Sequence, residues 1–275
     1  VASGLKKTAF QADAVTVAAR DAMAKKLGAR RLHATSGLIG QMRAVKDEHE
    51  VKAIRKAVRT QEAALEALLP TIEPGQTEQE VAGRLEAEMK ARGSSQPGFN
   101  TIVAARANGS LPHYRPGNTK IAKNQPLLID WGAVVNGYHG DMTRTFTLGK
   151  WPKKIREIYE IVLEAQEMSA AALAPGKHTD EVDAVARDHI AKHGYGEFFG
   201  HGLGHGMGMD GHEDPRLSHM VKGVELEPGH VVTVEPGIYL PGVGGVRIED
   251  DYVITERGAK NLCKLPKTLE WSTLG

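Results

Sequence analysis

Apolar positions along the chain fall into two helical stripes, each followed by runs that read as strands. Val51, Ile54, Val58, Leu65, Leu68 and Leu69 recur at three- and four-residue spacing, which places them on one helix face; Asp47 opens this stripe, and Pro70 and Pro74-Gly75 close it. Thr77 and Glu80 have the spacing of a capping box for a second helix that stops at Gly93. Ile155, Ile158, Val162, Ala165 and Ala172 repeat the long stripe, Pro175-Gly176 ends it, and a helix containing Glu181-Val182 runs to Gly194. Pro74, Gly75, Glu80, Val81 and Gly93 return 101 residues later as Pro175, Gly176, Glu181, Val182 and Gly194. A constant offset over five positions predicts two related halves.

Strands are predicted over 101–105, 126–135 and 138–148 in the first half, and over 231–235 and 246–255 in the second. Asn136-Gly137 is a two-residue hairpin signal. Pro236-Gly237 and Pro241-Gly242 should bend the chain, and 262–266 reads as a closing edge segment. The expected class is α+β, helices on strands twice over, in one domain spanning 46–275. Upstream, helical spacing covers 12–27, a short strand falls at 31–33, and Ser36 caps a short helix over 37–43. Residues 1–45 therefore read as the remnant of an amino-terminal domain and its linker. The chain starts at Val1 rather than Met, as a processed product or a fragment of a longer protein would.

Composition narrows the function classes. The 35 basic and 34 acidic residues give a net charge of +1, which argues against a nucleic-acid-binding surface as the main function. No apolar run reaches the roughly 18 residues of a membrane span, and no charged-then-apolar leader opens the chain. The single cysteine, Cys263, excludes an intrachain disulfide and a cysteine-based zinc site, and fits a cytoplasmic protein.

The candidate chemistry centres on residues 199–215, FGHGLGHGMGMDGHEDP, where His201, His205 and His212 stand among six glycines. Such a stretch is either a transition-metal site, since glycine lets backbone approach a ligand and imidazole is a common metal ligand, or a mobile Gly/His loop. Carboxylates bear on the choice. If Asn136-Gly137 is the turn, Val135 pairs with Tyr138, Asp130 faces Thr143, and Gly132 faces Asp141. Asp130 and Asp141 are then diagonal neighbours on one face, about 7–8 Å apart at the backbone. The alternative is a solvated pair on an outer face, which the apolar run Leu127-Leu128-Ile129 weighs against. Glu235 and Glu249 occupy similar positions after Val231–Val234 and Val246-Arg247-Ile248, although Arg247 could simply pair with an acid. Four carboxylates and an imidazole form a mostly hard donor set. It suits Mn²⁺, Co²⁺ or Fe²⁺ better than structural zinc, and two ions about 3.5–4 Å apart would balance the charge.

Four segments, LLIDWGAVVNGYHGDMTRTF, GHGLGHGMG followed by GHEDP, VVTVEPGIY and GGVRIEDDYVIT, resemble the pita-bread metallopeptidases, in particular Xaa-Pro aminopeptidase (aminopeptidase P) and prolidase. They run in family order from about residue 46 to the end. The resemblance implies the pita-bread (creatinase/aminopeptidase) fold with its internal pseudo-twofold. It also implies two divalent ions, manganese first and cobalt, iron or zinc as alternatives. It assigns Asp130 to one ion, Asp141 and Glu249 as bridges, and His205 and Glu235 to the second ion. Glu235 would also relay a proton while a metal-bridging hydroxide attacks the scissile carbonyl. His113 and His212 match catalytic positions beside the substrate, and His201, Tyr239 and Arg247 match substrate-binding ones.

The implied activity is removal of the N-terminal residue from Xaa-Pro peptides. The alternatives are a prolidase limited to Xaa-Pro dipeptides, a methionine aminopeptidase, and a non-catalytic peptide- or protein-binding member of the fold. Some prolidases carry an arginine about fourteen residues before the glutamate matching Glu235; here Val221-Lys222-Gly223 stands there, which favours aminopeptidase P. The implied partners are peptides with proline second, without nucleic acid or membrane, and the family allows a homodimer.

Overall fold

The computed structural model describes residues 6–275, which divide into two compact units, one reaching Arg43 and one spanning Ala44–Gly275. In the first, strands β1 (Thr8–Gln11) and β2 (Leu32–Thr35) pair in parallel, with helix α1 (Val17–Leu27) as the crossover; helix α2 (Leu38–Ala44) follows. The helix expected over 12–27 starts later because Thr16 caps it, its hydroxyl accepting from the Ala19 amide at 3.2 Å. The strand expected at 31–33 lies one or two residues further on. Strand β1, with one large apolar residue in four, carried no periodic signal.

The second unit opens with α3 (Glu48–Leu68) and α4 (Glu78–Ala91), each started by a reciprocal capping box, Asp47 with Glu50 and Thr77 with Glu80. Strands β3 (Ile102–Ala105), β4 (Pro126–Trp131), β5 (Val134–Val135), β6 (Tyr138–His139) and β7 (Met142–Leu148) complete the first half. The second half has α5 (Lys153–Ala172), α6 (Thr179–Lys192), β8 (Gly204–Gly206), β9 (Glu213–Leu217), β10 (Val231–Val234), β11 (Gly237–Leu240), β12 (Gly244–Arg247) and β13 (Asp250–Thr255). Strands β14 (Gly258–Asn261) and β15 (Thr273–Leu274) close the chain.

The repeat is physical. Helices α4 and α6 both have 14 residues, with both ends displaced by the same 101 positions. Gly75 and Gly176 both take positive φ before them, +98° and +79°, as only glycine does without strain. Their amides donate to Ile121 O at 2.9 Å and to Leu226 O at 2.8 Å, so the same turn is tied down in the same way. The buried apolar residues form two main clusters: Ile54, Leu65, Leu85 and Phe146 lie in one, which also takes Met207, Val231 and Val253 from the second half, and Ile158, Val162, Val232 and Ile248 lie in the other. The main sheets run β15-β7-β4-β3 and β14-β13-β10-β8-β9.

The hairpin register is the expected one, with Val135 opposite Tyr138 and Asp130 opposite Thr143. The two long strands are nonetheless interrupted at Gly132, where a Cβ would stand 2.2 Å from Gly140 O. Three expectations are corrected. The strand over 246–255 is two strands in different sheets, β12 paired with β11 and β13 with β10, and Ile248-Glu249 is the crossing. Pro236-Gly237 does not only bend the chain, since β11 begins there. Residues 262–266 form no edge strand: Leu262, Cys263 and Leu265 are buried, and the Glu62 carboxylate accepts from the Lys264 and Leu265 amides in place of a neighbouring strand. No helix among the described residues is long and apolar enough to cross a membrane.

Candidate metal centre

The two halves meet along buried backbone and side-chain bonds that bring their acids together. Glu249 N donates to Thr143 O at 3.1 Å, Thr145 Oγ1 to Arg247 O at 3.1 Å, and Asp141 N to Asp251 Oδ2 at 3.0 Å. Asp130 is the penultimate residue of the apolar strand β4, and Asp141 sits just before β7 where the hairpin is interrupted. Glu235 follows β10, Glu249 lies in the crossing from β12 to β13, and His205 is the central residue of β8. All five line one cavity of about 740 Å³, together with His113, His201, His212 and Arg247.

Ligand atoms of Asp141, His205 and Glu249 lie within 4.8 Å of one another. His205 Nε2 is 3.3 Å from Glu235 Oε1 and 3.7 Å from Asp141 Oδ2. Arg247 donates to Asp130 Oδ2 at 2.5 Å and to the Tyr239 hydroxyl at 2.9 Å; Tyr239 Oη also meets His201 Nε2 at 2.7 Å. Of the expected site residues, Tyr239 alone does not line the cavity, and it reaches the site through those two partners. His212 stacks on His205 with centroids 3.8 Å apart, and His113 is exposed at the rim.

The electrostatics are those of too many acids buried in one place. Desolvation, followed by Glu249, pushes the Asp141 carboxyl well up, and desolvation, followed by Glu235 and Asp130, does the same to Glu249. Asp130 is also raised by desolvation, against the pull of Arg247. For Glu235, desolvation is outweighed by the His205 hydrogen bond and charge, and its pKa falls to about 2. Burial lowers His205, but Glu235 overcomes this and its pKa ends above the ordinary value. Burial and the neighbouring His205 take His212 down to about 4.

Asp130 Oδ1 is buried and has no hydrogen-bond partner, although its carboxylate faces the cavity. Hard oxygen donors, one imidazole, an orphaned carboxylate oxygen and mutual repulsion all fit divalent cations.

The sequence profile of metallopeptidase family M24 matches residues 52–256. The chain belongs to that family. Similarity to individual proteins is high. It is 42% identical to an Xaa-Pro dipeptidase of Pyrococcus horikoshii over 89% of this chain and 70% of that protein. Its structure superposes on an Xaa-Pro dipeptidase from Bacillus anthracis with a TM-score of 0.93 at 41% identity, covering 96% of this chain and 74% of that one. An X-Pro aminopeptidase from Thermotoga maritima gives 0.92 at 37%, with the same coverage. This M24 chain thus has the pita-bread fold and is a metal-dependent peptidase, a hydrolase whose family uses divalent ions.

Several residues around the centre were not singled out from the sequence. Thr143 donates to Glu249 Oε2 at 2.5 Å and accepts from Arg247 Nε at 3.0 Å. Thr233 donates to Glu235 Oε1 at 3.1 Å and accepts from the His205 amide at 3.1 Å. Their signal was present: Thr143 is the register partner of Asp130, and both threonines are polar residues within strands that are buried throughout. Phe99, Ile102, Pro112 and Met220 add apolar wall, and the exposed Arg115 and Arg216 add two guanidiniums to the cavity lining. Apart from Ile102 in β3 and Arg216 in β9, these come from loops with no periodic pattern.

Proposed function

We propose that the chain is a prolidase, hydrolysing the Xaa-Pro bond of dipeptides, with two divalent ions held by Asp130, Asp141, His205, Glu235 and Glu249. The observation that carries this reading is the convergence of those four carboxylates and one imidazole in a single buried cavity of an M24 peptidase. The metal pair would be manganese, and when bound it would polarise the scissile carbonyl and make water acidic near neutral pH.

Two observations favour dipeptides over the longer substrates expected from Val221-Lys222-Gly223. Relatives covering most of this chain are named Xaa-Pro dipeptidases. In addition, Arg115 and Arg216 line the cavity, so a guanidinium for a free carboxylate close to the cleaved bond need not come from position 221. Cleavage of longer Xaa-Pro peptides is the second reading, favoured by the resemblance to the Thermotoga maritima X-Pro aminopeptidase.

In this reading the chain's own side chains divide the work. Glu235 takes a proton from the attacking water and gives it to the departing imide nitrogen. His212, uncharged with its pKa near 4, hydrogen-bonds the peptide as a neutral imidazole, and His113 closes over it from the rim. Arg247 and Tyr239 hold His201 in the wall that takes the proline ring. Residues 1–45 are the remnant of an amino-terminal domain on a 46–275 catalytic domain, a reading that the division after Arg43 supports. The buried free Cys263 suits a reducing cytoplasm.

A cleavage panel with added Mn²⁺ is the test. Ala-Pro and Gly-Pro should be hydrolysed faster than Gly-Pro-Ala, and Arg216→Ala should raise KM for the dipeptides more than for the tripeptide. Faster turnover of the tripeptide would establish the aminopeptidase reading, and cleavage of Met-Ala-Ser with neither Pro substrate would remove both.

A further inference from the structure

The C-terminal end of α6 carries side chains of metal-ligating type that the peptidase centre does not use. His189 and His193 are one helical turn apart, so their imidazoles share a face, with ring centroids 4.6 Å apart. Glu164 on α5 stands opposite, and ligand atoms of the three lie within 4.8 Å of one another. None of them lines the catalytic cavity.

The orientation of the nitrogens is that of ligands. His189 Nε2 is 3.2 Å from Glu164 Oε2, yet off the line that an N–H bond requires, and this buried nitrogen has no hydrogen-bond partner. His193 Nδ1 lies 2.9 Å from His189 O. That carbonyl holds the imidazole proton on Nδ1 and leaves the Nε2 lone pair free to bind. Burial of His189, with His193 and Lys192 beside it, lowers its pKa against the opposing pull of Glu164. Glu164 and His193 are exposed, so an ion can enter and keep water in its open positions.

We infer that Glu164, His189 and His193 form a second, surface metal site for one divalent transition-metal ion of the zinc, nickel or copper type. Two neutral imidazoles and a carboxylate are donors these ions prefer, whereas calcium and magnesium demand oxygen. The ion cross-links α5 to the end of α6, from which the chain runs on to His201.

Equilibrium dialysis of the Mn²⁺-loaded enzyme against Ni²⁺ tests this, with wild type beside His193→Ala and Glu164→Gln. The wild type should hold one more Ni²⁺ per chain than His193→Ala, and Glu164→Gln should need a higher Ni²⁺ concentration to fill. Peptidase rates in Mn²⁺ should match in all three. With Cu²⁺, the wild-type minus His193→Ala electron paramagnetic resonance difference should show nitrogen coupling. Equal Ni²⁺ content in wild type and His193→Ala, with equal melting temperatures as the control for folding, would overturn the site.

Discussion

Asp141 illustrates the conflict at the level of single residues. Its carboxyl is buried and is pushed up by desolvation and by Glu249, while its backbone amide donates to Asp251 Oδ2. A group in that position destabilises the protein without a cation and is needed once a cation is present. Asp141→Asn should therefore raise the melting temperature of chelator-treated protein, by roughly 2–4 °C per kcal/mol of relieved repulsion. The same substitution should lower the melting temperature in Mn²⁺ and reduce turnover by about 100-fold or more. Melting curves in both conditions, with rates on Ala-Pro, check both signs. An ordinary surface aspartate would change neither.

Two contacts between elements position the ligands. Strand β8 approaches β10 so closely that a Cβ on Gly204 would lie 2.0 Å from Thr233 O, a backbone atom that cannot swing aside. Gly204→Ala should cost about 2–3 kcal/mol and displace His205, the next residue, with loss of metal affinity measured by titration. On α6, Asp183 and Arg187 form a bidentate pair at 2.7 and 2.9 Å, and Asp183 is fully buried. Arg187 also donates to Phe199 O and His201 O, and Asp183 accepts from the Leu203 amide. The pair thus holds the entry to the glycine-histidine segment. Arg187→Ala leaves a buried carboxylate unpaired and should cost about 3 kcal/mol in denaturant unfolding. This device was not read from the sequence, because Asp183 and Arg187 are an ordinary i,i+4 pair until the loop is seen folded over them.

For the whole molecule, the pH dependence of stability should change sign with metal. Asp141 and Glu249 have folded pKa values above those of an unfolded chain, so in metal-free protein they bind extra protons, and stability falls as pH rises from about 4 towards those values. His205, also raised, contributes stability at low pH that is lost as pH rises through its folded value. Glu235 has the opposite sign, but with a folded pKa of about 2 its contribution is complete above about pH 4. Chelated protein should therefore melt at a higher temperature near pH 5 than near pH 8. With Mn²⁺ the order should reverse, because the ligands must lose protons to bind. Calorimetry at the two pH values, with and without chelator, gives the answer.

The sequence by itself determined whatever depends on near neighbours in the chain. Helix stripes, capping boxes, the Asn136-Gly137 turn and the 101-residue repeat are local, so the helices, the hairpin register and the two-half plan were legible, as were the four acids and one imidazole as a candidate set. Tertiary structure decided what depends on which backbones meet. It split 246–255 between two sheets at Ile248-Glu249, gave the 262–266 amides to Glu62 instead of a strand, and set Thr143 and Thr233 beside Glu249 and Glu235. It also joined Glu164 to His189 and His193 across two helices. The physical reason is range: propensity and periodicity act over a few residues, whereas desolvation and charge repulsion act between groups that only the folded chain brings together.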